Sequence, residues 1–468
     1  MTASLVLVCQ LLVTGAPNLS EGGFNTFEWP MEQVTLQDGR RLRGLIETAG
    51  PDVLEFVEIR RPPGKPMFLI VRPVERAKII DMQRLGADDR EALRDRIRQY
   101  KTRARIEARR MEDVALHAQS EMEIPRWTYQ GPWFELESTA DERTTRQCVV
   151  RLEQRFLSFR QALPPRESSN PLPIRLKLFG AQAEYTQFLR SQQMPLRNPA
   201  YYVRGKNLIV AGSDVRKIVE RVARARNRHQ QLRRKTTELR KKLQNELEQF
   251  RKDLVQGGLS NKAKRREIER VVANRVEDDL DRIEDRIRGV EKDNDRAVAQ
   301  VRSRMLRRLY HEAFHAYLDK HVYDYTRNDV PRWLNEGLAQ IFETGLLEAD
   351  TLRIDAPDPT NLTLLLKDLK KSSRLTLADL LLAEPAAYLI AHDATATTSK
   401  RHYLYAWGVA YFLTFEKSML GSSALDEYVH AENPRGPRGR FEDLVQVPLA
   451  EFEAAWRRAM PELAKGRR

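Results

Sequence analysis

A His-Glu-Ala-Phe-His segment at positions 311–315 carries the side chains of this sequence that are best suited to chemistry. Positions i and i+4 lie on one face of a helix, so the imidazoles of His311 and His315 can reach a single metal ion. Glu336 follows as a third ligand candidate. Two histidines and one carboxylate leave the fourth position of a tetrahedral zinc ion open for water, as in catalytic sites. The spacing therefore predicts a catalytic Zn2+ site.

Glu312, directly after the first histidine, is suited to act as a general base. A carboxylate in this place can take a proton from a zinc-bound water and later deliver it to a leaving amine. Zinc lowers the pKa of such a water to about 7, so that hydroxide is available at neutral pH. We therefore expect a zinc-dependent metallopeptidase, a hydrolase that cleaves peptide bonds.

Two helices must position these residues. A turn at Pro331 followed by a helix could bring Glu336 back toward the histidine helix. Asp319 and Gln340, one turn beyond predicted ligands, are candidates to orient them, and a solvated helix position is the alternative for both. Apolar side chains recur at helical spacing around the histidines, which predicts a largely buried helix. These apolar residues are Met305, Leu306, Leu309, Phe314 and Leu318.

The histidine segment and the segment Trp-Leu-Asn-Glu-Gly-Leu-Ala-Gln-Ile-Phe-Glu at 333–343 together resemble the gluzincin metallopeptidases, which include thermolysin-like and aminopeptidase N-like enzymes. The resemblance implies an α+β peptidase fold in which two helices lie side by side and Glu336 is the third zinc ligand. The chain looks closest to an uncharacterised, planctomycete-type bacterial family of gluzincin-like domains of unknown function. The likeness covers about residues 126–210 and 300–460, and it is specific only around the two zinc segments.

The resemblance also implies a hydrogen-bond donor for the oxyanion, because gluzincins commonly supply a Tyr or a His from a helix after the third ligand. The aromatic segment at 402–413 predicts such a helix. Tyr403 is the favoured donor, since the resembling family often has a Tyr four residues before a Trp. His402 and Tyr405 are the alternatives, and each of the three residues could equally belong to the core with its polar atoms satisfied.

The expected substrate is a peptide or protein that an edge strand holds by main-chain pairing. Gluzincin aminopeptidases carry a Gly-x-Met-Glu-Asn-type signature on that edge strand, and the corresponding stretch at 202–207 does not match it. This difference favours endopeptidase action or a specialised substrate.

The N-terminal residues and the cysteines bear on the compartment. The apolar run from Leu5 to Val13 suits a secretory signal peptide or an anchor within residues 1–20, although no basic residue precedes it. Export to the periplasm, the cell envelope or the medium is therefore expected. Cys9 in this leader and Cys148 cannot make a disulfide framework, and Cys148 is expected to be buried. No other segment is apolar enough to cross a membrane.

Short alternating strands around an Asp-Gly turn predict a small SH3-like or Sm-like β-barrel over residues 25–85. Strands and helices then alternate before the zinc segments, and a strand is expected at 127–139. The other predicted units are a charged helical linker at 86–125, the N-terminal lobe of the peptidase domain at 126–213 and a zinc-binding helical lobe at 301–468.

A basic insert, predicted at residues 214–300, separates the two lobes. Positions 215–310 hold 29 Lys and Arg against 16 Asp and Glu, which is most of the chain's net charge of +14. Apolar residues recur at three and four positions on both sides of Gly257-Gly258, which predicts an antiparallel coiled-coil hairpin with arms of about 60 Å. The hairpin is either a solvated spacer or a surface for a coiled-coil partner or a homodimer. Specific nucleic-acid binding is not expected, because acidic residues are mixed with the basic ones and no aromatic platform accompanies them.

A second interpretation treats the protein as a catalytically silent, envelope-associated scaffold. The coiled coil and the β-barrel would then serve protein interaction, and the zinc lobe would be structural. Loss of Glu312 or Glu336 would favour this interpretation, and both residues are present.

Overall fold

The structure is a computed structural model of an α+β protein. The predicted leader at 1–20, with Cys9, lies outside the residues that it describes. Among the helices of those residues, none combines the length and the apolarity needed to cross a membrane. The described residues are 29–119, 124–166, 173–194, 198–258, 261–348, 351–354, 356–388, 397–430 and 434–465.

The first unit is an antiparallel sheet of five strands in the order β4-β3-β2-β1-β5. The predicted closed barrel is wrong, because no pairing within residues 29–119 joins β4 to β5. One face of the sheet packs instead on the helix α1, where Leu93 and Ile97 meet Trp29, Leu45 and Val57. The elements are β1 (Glu32–Leu36), β2 (Arg41–Ala49), β3 (Val53–Arg60), β4 (Phe68–Glu75), β5 (Ile79–Gln83) and α1 (Ala87–Asp113).

The second unit is a six-stranded sheet that packs against the histidine helix. Its elements are β6 (His117–Gln119), β7 (Arg126–Gln130), β8 (Phe134–Ser138), α2 (Glu142–Ala162), β9 (Ile174–Phe179), α3 (Gln182–Ser191), β10 (Ala200–Val203) and β11 (Leu208–Gly212). The strand order is β10-β11-β9-β8-β7-β6, so β10 is an edge strand. The strand expected at 127–139 is a hairpin instead, because Gly131 donates to the carbonyl of Phe134 and closes a turn between β7 and β8.

Two long helices, α4 (Val215–Gln256) and α5 (Lys262–Tyr317), form an antiparallel helical hairpin. Asn261 caps α5 by accepting hydrogen bonds from the backbone N–H groups of Ala263 and Lys264. α5 runs for 56 residues through the predicted boundary at 300/301 and contains both His311 and His315. The return arm of the hairpin and the histidine helix are therefore one continuous element, about 84 Å long at 1.5 Å per residue.

The C-terminal part is helical and shares a large apolar core with the six-stranded sheet and the end of α5. α6 packs against both α5 and α9. The elements are α6 (Arg332–Thr344), β12 (Leu346–Glu348), β13 (Thr351–Arg353), α7 (Pro359–Leu369), α8 (Leu377–Leu381), α9 (Thr397–Tyr411), α10 (Ser423–Val429), α11 (Pro437–Val445) and α12 (Leu449–Ala464). Cys148 is buried in this core with a free thiol, as expected.

Candidate metal centre

The packing of α5 against α6 brings His311, His315 and Glu336 together. Nε2 of His311 lies 3.1 Å from Oε2 of Glu336, and Nε2 of His315 lies 3.6 Å from the same oxygen. One donor atom from each residue lies within 4.8 Å of the others. Glu336 is 1% exposed and His315 is 6% exposed, so the three groups meet in a largely dehydrated place.

The opposite nitrogen of each imidazole is held by an acceptor on α6. Nδ1 of His311 lies 2.8 Å from Oε2 of Glu343, and Nδ1 of His315 lies 2.6 Å from Oδ1 of Asn335. Because carboxylate and amide oxygens accept, each Nδ1 donates to its partner on α6. Burial opposes protonation of His311, but its hydrogen bonds with Glu336 and Glu343 hold the pKa of its imidazole well above the ordinary value. The two Nε2 atoms and the carboxylate of Glu336 converge on one place, and together they could hold a metal ion.

Zinc fits this donor set. Ligands about 2.0–2.1 Å from a tetrahedral zinc ion are roughly 3.3 Å apart, which is close to the 3.1 and 3.6 Å measured from Glu336 to the two histidines. The acceptors on Nδ1 are also those that zinc-binding histidines use to fix their orientation.

The charges around the donors decide the ionisation of Glu336 and Glu343. Burial opposes ionisation of Glu336, but the nearby His315, His311 and Arg332 hold the pKa of its carboxyl well below the ordinary value. Burial likewise opposes ionisation of Glu343, and its contacts with His311 and Arg307 lower its pKa. Both carboxyl groups are therefore carboxylates at neutral pH.

Arg332 holds the other oxygen of Glu336. Its Nη2 lies 2.6 Å from Oε1 of Glu336, so the carboxylate keeps Oε2 directed at the histidines. Arg332 is four residues before Glu336 and therefore on the same face of α6. The sequence interpretation missed Arg332 and Glu343, and helical spacing of four and seven residues from the ligand is the signal that could have identified them.

Glu312 lies beside the donors and contacts the edge strand of the large sheet. Its Oε2 accepts a hydrogen bond of 2.8 Å from the backbone N–H of Tyr202 in β10. Glu312, the three donor residues and Tyr202 line one cavity of about 360 Å³. The predicted base is thus held between the donor set and a strand edge.

Of the three candidate oxyanion donors, only Tyr403 lines this cavity. Burial raises the pKa of its phenol, and the negative charge of Glu336 raises it further, so the hydroxyl keeps its proton. Tyr405 is fully buried and donates to Oδ2 of Asp368 at 3.0 Å, so it belongs to the core. His402 is also buried and packs edge-on against Tyr388.

The predicted orienting residues have other contacts. Asp319 is 1% exposed and accepts from Nε and Nη2 of Arg204 at 2.6 and 2.9 Å, which ties the end of α5 to the segment after β10. Gln340 donates to the carbonyls of Tyr403 and Glu336 at 2.9 and 3.1 Å, which joins α6 to α9. Neither side chain orients a histidine, and Glu343 and Asn335 do so instead.

A family model described as "Protein of unknown function (DUF1570)" matches residues 306–427. No curated protein matches the chain. The matched part contains His311, Glu312, His315, Glu336 and Tyr403, so every residue of the predicted site lies within it. Over about a quarter of its length, the chain is therefore similar to a family whose description names no activity.

Proposed function

We propose that the protein is a zinc-dependent metallopeptidase of the gluzincin type. The observation that supports this proposal best is that both histidines meet at the carboxylate of Glu336. Both Nε2 atoms face one carboxylate oxygen, and both Nδ1 atoms are held by acceptors of their own. A structural site would close the fourth zinc position with protein, whereas here the donors adjoin a cavity that also holds a carboxylate and a phenol.

His311, His315 and Glu336 would hold the zinc ion, which when bound supplies a Lewis acid that lowers the pKa of a water and polarises a carbonyl. Glu312 accepts a proton from the attacking water and passes it to the amine that leaves. Its hydrogen bond from the N–H of Tyr202 keeps the carboxylate in place for both steps. The phenol of Tyr403 donates to the oxygen that becomes negative as the carbonyl carbon turns tetrahedral.

The substrate is proposed to be an extended peptide or protein segment that lies along β10. β10 is the edge strand, and Tyr202 within it contacts the proposed base. A segment paired with this edge would place its scissile bond close to Glu312. Endopeptidase action is proposed because the sequence at 202–207 lacks the aminopeptidase signature. We also propose that the protein is exported, on the basis of the apolar run from Leu5 to Val13.

The first test is the zinc content per chain of purified wild type, Glu312→Gln and His315→Ala. About one zinc in the wild type and in Glu312→Gln, with loss in His315→Ala, is expected. The same proteins are then incubated with a mixture of unfolded proteins, and new termini are read by mass spectrometry. Internal cleavage by the wild type but not by Glu312→Gln supports an endopeptidase. A well-folded wild type that binds no added zinc would overturn the proposal.

A further inference from the structure

Arg332 lies where a positive charge is unfavourable for the fold. It is the first residue of α6, and the N-terminus of a helix carries a partial positive charge that disfavours a cation. Its Nε–H is buried and has no acceptor among the described residues, which costs free energy. Within the described part of the chain, its ion pair is with Glu336, at 2.6 Å. The stability of α6 therefore does not account for an arginine at this position.

Charge balance at Glu336 gives only part of the reason for this arginine. A zinc ion held by His311, His315 and Glu336 would itself balance the buried carboxylate, because a bound Zn2+ ion is the largest charge in its site. The guanidinium beside Oε1 of Glu336 then adds a second cation next to a cation site. An arginine kept in such a place indicates a further partner in the cavity.

Tyr403 is held close to Arg332 by contacts that do not involve its hydroxyl. Gln340 donates to the carbonyls of Glu336 and Tyr403 at 3.1 and 2.9 Å, so the backbones of α6 and α9 meet at these residues. The ring of Tyr403 packs edge-on against Tyr388, with the ring centres 5.6 Å apart. Arg332, Glu336 and Tyr403 line the same cavity. These contacts fix the backbone and the ring of Tyr403, but they leave the direction of its O–H open.

Arg332 decides the direction of this O–H. Burial and the charge of Glu336 raise the pKa of the phenol, and Arg332 opposes that rise through its charge and through a hydrogen bond to the phenol. A guanidinium has only donors, so the phenol oxygen accepts this hydrogen bond and keeps its own hydrogen for another acceptor. No described residue accepts that hydrogen, whereas the hydroxyl of Tyr405 on the same helix donates to Asp368. The O–H of Tyr403 is therefore available to a group that enters the cavity.

We propose that Arg332 is a positioning residue for the reaction, which holds the phenol of Tyr403 with its O–H directed into the cavity. Its Nη2 holds Glu336 at the same time, so one guanidinium sets the oxyanion donor relative to the third metal ligand. A donor that is already directed costs no reorganisation when the carbonyl oxygen becomes negative. This inference rests on the proposed function, in which Tyr403 donates to that oxygen.

A double-mutant cycle in kcat tests whether Arg332 acts through Tyr403. The probe is a fluorescence-quenched peptide built on a sequence that the wild type cleaves, and each protein is loaded with zinc and its zinc content measured. Arg332→Ala should lower kcat by about 10–100-fold with little change in KM, because the donor acts only in the transition state. On the Tyr403→Phe background, the same change should lower kcat by less than about threefold. Losses that multiply in the double variant would overturn the proposal.

Chemical rescue provides a matched control for this cycle. Free guanidinium at roughly 50 mM should restore part of kcat in Arg332→Ala, because the planar ion can occupy the space of the missing side chain. It should have no such effect in Arg332→Ala/Tyr403→Phe, where the phenol oxygen is absent. Equal rescue of the two variants would show that the guanidinium acts without Tyr403 and would overturn the proposal.

A second cycle measures binding and needs no turnover. Acetohydroxamate, a small anion that chelates zinc through oxygen atoms, is titrated by calorimetry into the zinc-loaded proteins. Arg332→Ala and Tyr403→Phe should each weaken its binding by about tenfold, and the double variant should bind it no more weakly than Tyr403→Phe. Independent losses would overturn the proposal. This pattern in a protein that cleaves no peptide would overturn the peptidase function alone, so the two failures can be distinguished.

Discussion

Nδ1 of His311 lies 2.8 Å from Oε2 of Glu343, two turns beyond Glu336 on the same helix. This contact fixes the imidazole so that Nε2 faces Glu336, and it increases the basicity of the ring toward a metal ion. Glu343 also pairs with Arg307 of α5 at 3.0 Å. One carboxylate therefore orients the first histidine and joins α5 to α6.

Replacement of Glu343 by Ala should weaken zinc binding about 10–100-fold, because His311 loses the acceptor that orients it. Glu343→Gln keeps an acceptor oxygen and should therefore lose less zinc affinity than Glu343→Ala. The affinity is measured by competition with a chromophoric chelator. Arg307→Met is the matched control, since it removes only a half-exposed partner of Glu343 and should change the affinity little. An affinity of Glu343→Ala within twofold of the wild type would contradict this role.

Tyr403 and Tyr405 offer a matched pair of phenols on α9. Tyr403→Phe should lower kcat by about 10²-fold and leave the zinc content unchanged, because it removes one donor from the cavity. Tyr405→Phe should leave kcat unchanged and cost about 1 kcal/mol of folding free energy, since its hydroxyl serves Asp368. Steady-state kinetics and urea denaturation of both variants separate the two roles. Equal kinetic effects of the two changes would argue against Tyr403 as the donor.

Gly337, directly after Glu336, permits the close approach of α6 and α9. A Cβ at this position would contact the carbonyl oxygen of Ala406 and lie 2.6 Å from Cβ of Ala410. Gly337→Ala should therefore force the helices apart and destabilise the protein by about 1–3 kcal/mol. Thermal unfolding is the measurement. Gly289→Ala, in the exposed middle of α5 with no atom within 4 Å of the added Cβ, should instead stabilise the protein slightly.

The ion pair between Arg204 and the buried Asp319 holds the segment after β10 against the end of α5. Arg204→Met should cost about 3 kcal/mol, because it leaves a carboxylate buried without its partner. The double variant Arg204→Met/Asp319→Leu should recover much of that loss, since no buried charge remains. Urea denaturation of the two variants and the wild type measures the difference. A double variant no more stable than Arg204→Met would show that packing, and not the charge, sets the cost.

His321 gives the folded state a dependence on pH. Burial lowers the pKa of its imidazole to about 4, and Lys320 adds to the effect. The ordinary pKa is about 6.5, so the unfolded chain binds this proton more tightly than the folded chain. The contribution of His321 to the free energy of unfolding is therefore complete above pH 6.5 and is lost as the pH falls toward 4.

His321→Phe removes this titration while keeping a ring beside Trp133 and Tyr317. Between pH 7 and pH 4.5, the wild type should lose about 1–2 kcal/mol more unfolding free energy than the variant, a figure reduced for the partial exposure of the ring. Urea denaturation in the presence of a chelator measures this difference without a contribution from metal. Equal losses of unfolding free energy in the wild type and in His321→Phe would contradict the assignment of this pH dependence to His321.

The residues of the donor set could be predicted because their relation is local. His311 and His315 share a helix face by spacing alone, and Glu336 needs only one turn to return to it. Arg332 pairs with Glu336 four residues later on the same helix, but the partner of Glu343 depends on how α5 crosses α6. The crossing is set by packing, including the contact at Gly337, and no spacing rule gives it.

Contacts that join distant segments could not be predicted. The hydrogen bond from Tyr202 to Glu312 uses a backbone N–H, which no residue type marks, and it depends on β10 being the sheet edge. The prediction of a small β-barrel over residues 25–85 was wrong for a similar reason. Alternation along five strands predicts a buried apolar cluster, and side chains of all five strands form one, but the sheet has a second apolar cluster that α1 covers, and this one depends on the helix that follows.

The uninterrupted course of α5 has a consequence for the order of folding. Ser213 and Met305 are 92 positions apart in sequence, yet they lie in contact where the two arms begin. Closing a flexible loop of that length would cost about 4 kcal/mol of chain entropy. A hairpin that forms from its tip can bring these residues together by successive local steps, each closing little new chain. Pairing of the two arms from the tip would then place the histidine helix beside the six-stranded sheet. Replacement of the arms by a flexible linker of equal length should therefore slow refolding.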